Sequence, residues 1–288
     1  MIPAAFDYDR PATLDEALGL LERHADAKLL AGGQSLLPLL KLRLASAPRL
    51  IDIGRLPELR GIRESGSDVA IGALTTYRDA LDSDLLRERC PVFAEVIDGI
   101  GDVQVRNRGT VGGGLAHADP ASDMPAVALA LGAEMVVRGR SGSRIVPADQ
   151  FFIGPFATAI QPGEILTEIR IPRLPMPAGT AYRSLEQPAS GYSLAGVAAV
   201  AMRTAGRIGL IRVGITGVAE VAYRAGAVEA ALAGTDGSPE AIAAAAAHAT
   251  DGMRINSDIH ADAEYRGQMA RVLTRRAIDA ALEAAAAG

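Results

Sequence analysis

Two stretches of this chain place glycines beside hydroxyl and amide groups at spacings that can do chemistry. The first is Leu29-Leu30-Ala31-Gly32-Gly33-Gln34-Ser35-Leu36, which reads as a strand, a glycine turn and a helix start. Adjacent glycines tolerate positive φ and let backbone approach a ligand closely. Successive N–H groups in such a turn form an anion-binding concavity, helped by the partial positive charge of a helix N-terminus. Ser35 adds a hydroxyl donor. This chemistry suits a pyrophosphate. The plainer reading of the same residues is a tight turn with Ser35 as an N-cap.

The second stretch runs from Asn107 to Asp123 and contains Thr110-Val111-Gly112-Gly113-Gly114 and Asp119-Pro120-Ala121-Ser122-Asp123. Three consecutive glycines between periodic segments are entropically costly, and close approach to a flat or anionic ligand is the natural reason for them. Thr110 offers a hydroxyl. Asp123 reads either as an acid at a helix N-terminus or as a hydrogen-bonding ligand on the ribose or diphosphate side. Neither stretch fits the dinucleotide fingerprint G-x-G-x-x-G. Gly32 and Gly33 are adjacent, and His117 stands where a third glycine would follow Gly112 and Gly114. A nicotinamide-type Rossmann domain is therefore disfavoured, although Asp52 lies about twenty residues past the first loop.

The elements that must position these loops are short. A helix is expected over 13–23 with Thr13 as N-cap, followed by strands at 28–30 and 49–53 and a helix within 36–44. Residues 60–63 and 68–71 read as a hairpin. Thr75 or Thr76 caps a helix through Leu81, and another runs from Asp84 towards Ile100. The stretch 107–125 reads as irregular, with a helix over 125–131 after it. Strands return at 133–138, 144–147 and 164–171. Pro172, Pro175 and Pro177 mark a boundary, giving domains 1–175 and 176–288. The second domain reads as strands at 180–185, 193–203 and 208–217, then helices over 225–233, 239–250 and from about Ala261. The last helix carries an apolar stripe at Met269, Val272, Leu273, Ala277, Ala280 and Ala281. The fold class is α+β.

Composition narrows the function classes. The 288 residues carry a net charge of −5 with no basic run, which disfavours a nucleic-acid partner. No apolar stretch approaches the ~20 residues of a membrane span. No basic segment precedes an apolar core at the N-terminus, so the expected location is the cytoplasm. Cys90 is the only cysteine, so the chain can hold neither an intrachain disulfide nor an iron–sulfur cluster. His24, His117, His248 and His260 lack metal-ligand spacing, so no metal site is expected and any redox chemistry requires an organic cofactor.

The two glycine stretches, in this order, resemble the FAD-binding medium subunit of the xanthine dehydrogenase and aerobic carbon monoxide dehydrogenase family of molybdenum hydroxylases. The resemblance covers essentially the whole chain and rests also on Phe6-Asp7-Tyr8 with Pro11, on Arg106-Asn107-Arg108-Gly109, and on Gly163-Glu164-Ile165-Leu166. It implies a PCMH-type, vanillyl-alcohol-oxidase-like FAD domain of two subdomains, plus a C-terminal domain of antiparallel sheet with helices. Carried over, Ala31, Gly32, Gly33, Gln34 and Ser35 together with Thr110, Val111, Gly112, Gly113 and Gly114 wrap the FAD pyrophosphate. Asp123 binds the ribityl or diphosphate region, and Leu166 packs at the flavin. Tyr192 either lies against the isoalloxazine ring or is an ordinary strand-edge tyrosine. His117 either faces the flavin or caps a loop. Arg183 falls where relatives often carry Lys, and Gly114 where they often carry Asn or Ser.

No catalytic residue of substrate oxidation is expected on this chain. The resemblance implies a large molybdopterin subunit and a small subunit with two [2Fe–2S] clusters, assembled as a dimer of heterotrimers. FAD would pass electrons to an external acceptor such as a quinone, with the complex free in the cytoplasm or held at the inner face of the membrane. Carbon monoxide is the leading substrate; N-heteroaromatics, nicotine-like compounds and aldehydes are the alternatives. The rival readings are a self-contained flavoprotein oxidoreductase on the same fold and a nucleotide-binding regulatory protein.

Overall fold

The computed structural model describes residues 2–287. The first layer is β1 (Asp7–Asp9), α1 (Leu14–Arg23), β2 (Lys28–Leu30), α2 (Leu36–Lys41) and β3 (Arg49–Asp52). The strands form a parallel sheet in the order β1-β3-β2. Thr13 caps α1 by accepting from Glu16 N, as its sequence position predicts. Leu14, Ala17 and Leu18 then fall on one face and are buried with Ile51, Ile53 and Leu56. The strand β1 has no apolar alternation and is held by its edge pairing to β3.

The second subdomain begins with the hairpin β4 (Ile62–Ser65) and β5 (Asp68–Gly72). Six helices follow: α3 (Tyr77–Leu81), α4 (Asp84–Arg89), α5 (Pro91–Gly99), α6 (Val103–Arg108), α7 (Val111–His117) and α8 (Asp123–Leu131). The chain returns through β6 (Glu134–Gly139), β7 (Gly142–Pro147), α9 (Ala148–Phe151), the small pair β8 (Phe152–Gly154) and β9 (Ala157–Thr158), and β10 (Ile165–Ile171). The main sheet is antiparallel, in the order β4-β5-β10-β6-β7. The single helix expected over 84–100 is two helices. Pro91 opens α5 and pushes Cys90 to φ −145°, out of helical conformation. A larger departure is α7, a helix where an irregular stretch was expected, with all three glycines inside it.

The C-terminal domain is an antiparallel sheet of β11 (Gly179–Glu186), β12 (Ser193–Thr204), β13 (Arg207–Thr216) and β14 (Tyr223–Arg224). The helices α10 (Gly226–Leu232), α11 (Pro239–Ala246) and α12 (Ala263–Ala287) share a core with it. Helix α11 ends four residues earlier than expected, because its last turns tighten to i→i+3 bonds such as His248 N to Ala245 O. The buried face of α12 is Ala270, Leu273, Ala277, Ile278, Ala281 and Leu282, so Met269, Val272 and Ala280 of the expected stripe are only half-buried.

The sheet also meets α8, whose nine residues are buried apart from Asp123. Gly214 of β13 lies so close that a Cβ there would sit 2.1 Å from Ala126 O. Tyr182, Ala198 and Val200 of the C-terminal sheet therefore belong to the same core as α5 and α8. Among the described residues no helix is long and apolar enough to cross a membrane, and no cluster of His, Cys, Asp or Glu is arranged to hold a metal ion.

Candidate functional site

The first glycine loop is a set of donors without acceptors. The backbone N–H groups of Gly32, Gly33, Gln34 and Ser35 make no hydrogen bond among the described residues. Gly33 has φ +75°, which an L side chain would resist. Ser35 occupies the N-cap position of α2 in αR conformation, and its hydroxyl makes no capping bond. Free amides and a free hydroxyl at the end of β2 are what a phosphate-binding turn needs. Gln34 is partly turned inward, its Nε2 donating to Gly32 O at 3.3 Å.

The second loop is different in kind, because its amides are already used. Val111 N donates to Thr75 O, Gly112 N to Ala73 O and Gly114 N to Thr110 O. Gly113 N donates to Thr110 Oγ1 at 3.1 Å, which leaves the Thr110 proton free to be donated elsewhere. The glycines here supply room. A Cβ on Gly112 would lie 2.5 Å from Ala73 Cβ, and one on Gly114 would lie 2.1 Å from the Tyr77 hydroxyl. Gly113 faces the first loop, with Ala31 Cβ 3.7 Å from where its own Cβ would be. Val111 is fully buried and anchors the helix start.

The two loops touch directly. A Cβ on Gly32 would fall 2.0 Å from Arg108 O and 3.0 Å from Gly109 Cα. The chemistry-bearing stretches of the sequence, about eighty residues apart, are thus one structural unit.

Asp123 closes the far side. Its Oδ1 accepts from Tyr182 OH at 2.5 Å and from Ser193 Oγ at 2.6 Å, both in the C-terminal domain. Burial pushes its carboxyl above the usual range, against the pull of those two donors. Oδ2 takes no partner from another residue among those described. Tyr182 reaches Asp123 across Gly196, where a Cβ would sit 2.1 Å from the phenol oxygen. The segment leading to Asp123 is stitched to the same domain: Ser193 N donates to Ala121 O, Gly217 N to Pro120 O, and Thr216 Oγ1 to Pro120 O and Ser122 O.

Tyr192 is 45% exposed in the turn between β11 and β12, with Asp119 and Asp123 near enough to push its phenol up after burial has done most of the raising. Leu166 lies in β10 opposite Val137, buried in the core next to the strand segment that α7 covers. His117 ends α7 with its ring tilted against Phe156 at 5.1 Å, and burial lowers its pKa despite Asp119 at 4.0 Å. Arg183 is tied to Glu95 of α5 at 2.7 Å. Cys90 is buried and its thiol is pushed up to about 12, so it is inert at neutral pH.

Residue-by-residue reading of the sequence missed Tyr77, Tyr182 and Ser193. The strand alternation of β12 carries a signal for Ser193, which shares a face with buried apolar residues. Nothing local marks the two tyrosines.

Comparison with known proteins matches this architecture throughout. Residues 4–174 match the family model described as FAD binding domain in molybdopterin dehydrogenase, and residues 180–281 match that of the CO dehydrogenase flavoprotein C-terminal domain. The carbon monoxide dehydrogenase medium chain of Hydrogenophaga pseudoflava is 43% identical over 98% of both chains. The glyceraldehyde dehydrogenase medium chain of Sulfolobus acidocaldarius is 39% identical over 96% of this chain and 98% of that one. A solved carbon monoxide dehydrogenase from Hydrogenophaga pseudoflava, lacking the Mo-pyranopterin moiety of its molybdenum cofactor, contains a chain that superposes with a TM-score of 0.96 at 45% identity, covering 99% of this chain and 100% of that one. The chain belongs to the molybdenum hydroxylase family, as its medium, FAD-binding subunit.

Proposed function

We propose that this chain is the electron-transfer flavoprotein of a carbon monoxide dehydrogenase. It would take electrons from two [2Fe–2S] clusters on a small partner subunit and pass them through FAD to an external acceptor such as a quinone. Carbon monoxide would be oxidised at molybdopterin on a large partner subunit, in a dimer of heterotrimers. The single observation that carries the cofactor reading is the row of unpartnered amides from Gly32 to Ser35 facing the second glycine stretch. Those donors fit a pyrophosphate.

In this reading Ala31, Gly32, Gly33, Gln34 and Ser35 supply amides and the Ser35 hydroxyl to the phosphates. Thr110 donates its free proton, Gly113 keeps the wall that faces the first loop free of a side chain, and Gly112 and Gly114 let that wall pack closely on Ala73 and Tyr77. Asp123 offers Oδ2 to the ribityl or diphosphate region. Tyr192 covers the ring from the C-terminal side, and Leu166 supports it from the core side. Residues 1–175 carry the dinucleotide and 176–288 close over the flavin. When bound, FAD can accept single electrons and release them in pairs. The protein's part is to bind, orient and shield it.

Exposed Leu42 and Leu44, following the first glycine loop, support a surface that a partner covers. The substrate rests on the carbon monoxide dehydrogenase relative at 43% identity, with an aldehyde favoured as the second reading by the glyceraldehyde dehydrogenase relative at 39%.

The test is purification alone and with the neighbouring gene products. Alone, the chain should be yellow, release all flavin into the supernatant on acid precipitation, and be bleached by dithionite but not by carbon monoxide. With molybdenum and iron–sulfur partners, carbon monoxide should bleach it. Turnover of carbon monoxide by the metal-free chain, or bleaching of the full complex by glyceraldehyde and not by carbon monoxide, would overturn the assignment.

A further inference from the structure

Tyr77 is the first residue of α3 and is 6% exposed. Its backbone N–H donates to Gly109 O, which fixes the chain beside the second glycine stretch. The ring lies against Gly109, where a Cβ would come within 3.1 Å of Cδ2. The hydroxyl stands over Gly114, 2.1 Å from where a Cβ would be. The phenol thus runs along the second glycine stretch, from Gly109 to Gly114 in the middle of α7.

The protein itself supplies the hydroxyl with no partner: it makes no hydrogen bond among the described residues. The groups around it are already engaged: Thr110 Oγ1 accepts from Gly113 N, while Tyr182 OH and Ser193 Oγ both donate to Asp123. The ring is buried, yet the hydroxyl is not one of the sealed-off polar atoms and keeps some accessibility, so a donor that no protein group uses is open to a bound ligand. Tyr182, the other tyrosine laid over a glycine, has its acceptor in Asp123; Tyr77 has none. Burial, and after it Asp123 and Tyr192, push the Tyr77 phenol well up, so it keeps its proton and is available as a donor. Tyr192 is assigned to the ring, Asp123 to the ribityl or diphosphate region, and Gly114 to the pyrophosphate side of the proposed seat.

We propose that the Tyr77 hydroxyl donates a hydrogen bond to an acceptor oxygen of bound FAD, in the stretch between the pyrophosphate and the ring, and that Gly114 is glycine because this hydroxyl occupies the place of its Cβ. The proposal rests on the reading of these loops as the FAD seat. It adds a ligand from α3, outside both glycine motifs, and gives position 114 a reason to lack a side chain.

Tyr77→Phe, Gly114→Ala and the double variant of the full chain test it, each as apo-protein for thermal unfolding and in a titration with FAD. Tyr77→Phe should leave the apo melting temperature within about 2 °C of wild type and raise the FAD dissociation constant roughly tenfold. Gly114→Ala should lower the apo melting temperature by itself. In the Tyr77→Phe background it should cost little, because the nearest ring carbon is 3.4 Å from the new Cβ. Tyr77→Phe binding FAD as tightly as wild type would overturn the proposal. So would a loss of affinity matched by an equal loss of apo stability, which is the mark of a purely structural tyrosine. Wild-type chain that takes up no FAD would instead overturn the reading of the seat.

Discussion

Replacing Gly32 by Ala adds one methyl group at the point where the two glycine stretches touch. Its Cβ would be placed 2.0 Å from Arg108 O and 2.8 Å from Arg108 C. Comfortable carbon contacts lie at roughly 3.5–4.0 Å, so one backbone must retreat from the other by more than about 1 Å. Neither can do so cheaply. Gly109, next to Arg108, is held by Tyr77, and Ala31 runs directly out of β2. Overpacking of this kind lowers stability by about 1–3 kcal/mol.

The larger effect falls on the ligand. If these loops hold the pyrophosphate as proposed, moving the free amides of Gly32 to Ser35 by an ångström relative to Thr110 should break at least one charge-assisted hydrogen bond to the phosphates. Such a bond contributes about 1.5–3 kcal/mol, so the FAD dissociation constant should rise by roughly 10- to 150-fold. The assay is fluorescence titration of the apo-chain with FAD, beside urea unfolding. Gly226→Ala is the control, since nothing lies within 4 Å of its Cβ position at the start of α10. It should be neutral or stabilise by up to about 1 kcal/mol. Gly32→Ala binding FAD with wild-type affinity and unfolding at the wild-type urea midpoint would refute the claim that this contact sets the spacing of the cradle.

Ser193→Ala should lower stability by about 1.5–3 kcal/mol, the range for a hydrogen bond to a charged group, because Asp123 loses one of its two side-chain donors; an unchanged urea midpoint would show that the bond does not form. His117 titrates below its ordinary value because it is buried, so the folded state binds a proton less readily than the unfolded one. Its contribution to stability is therefore complete above about pH 6.5 and is lost as pH falls through the depressed folded value. The slope of melting temperature against pH below 6.5 should be shallower in His117→Gln than in wild type.

The sequence made the first loop legible because strand, glycine pair and helix start are contiguous, and each has a local signature. It made the second loop visible as an anomaly but misread its structure. Glycine is a poor helix former, so Gly112 to Gly114 suggest an irregular loop, whereas α7 passes through them. What reverses the local preference is tertiary: Ala73 behind Gly112, Tyr77 behind Gly114 and the Thr110 cap at the N-terminus. The ligand-approach argument for three glycines was thus partly answered by packing, with Gly113 left to face the other loop. The same limit applies to Asp123, where the sequence offered a helix-start acid or a cofactor ligand. It opens α8 and is gripped by Tyr182 and Ser193 from strands about sixty and seventy residues downstream.

Those grips bear on how the two halves of the chain work together. A proline-marked boundary suggests two units that could move independently. Yet α8 belongs to the first half by sequence and lies under the β12–β13 face of the second, close enough that Gly214 must lack a side chain. The Pro120–Asp123 segment is hydrogen-bonded to β12 and to the end of β13 at every turn. An interface that shares a core and leaves so few polar groups free resists rigid-body opening. Access for a dinucleotide falls to the parts not bonded across this interface, which are the 187–192 turn, closed by its own hydrogen bonds and carrying Tyr192, and the unpartnered amides of the first loop. The proposed electron-transfer role fits this arrangement, since a seat set by the fold before the cofactor arrives would not need to close around each electron.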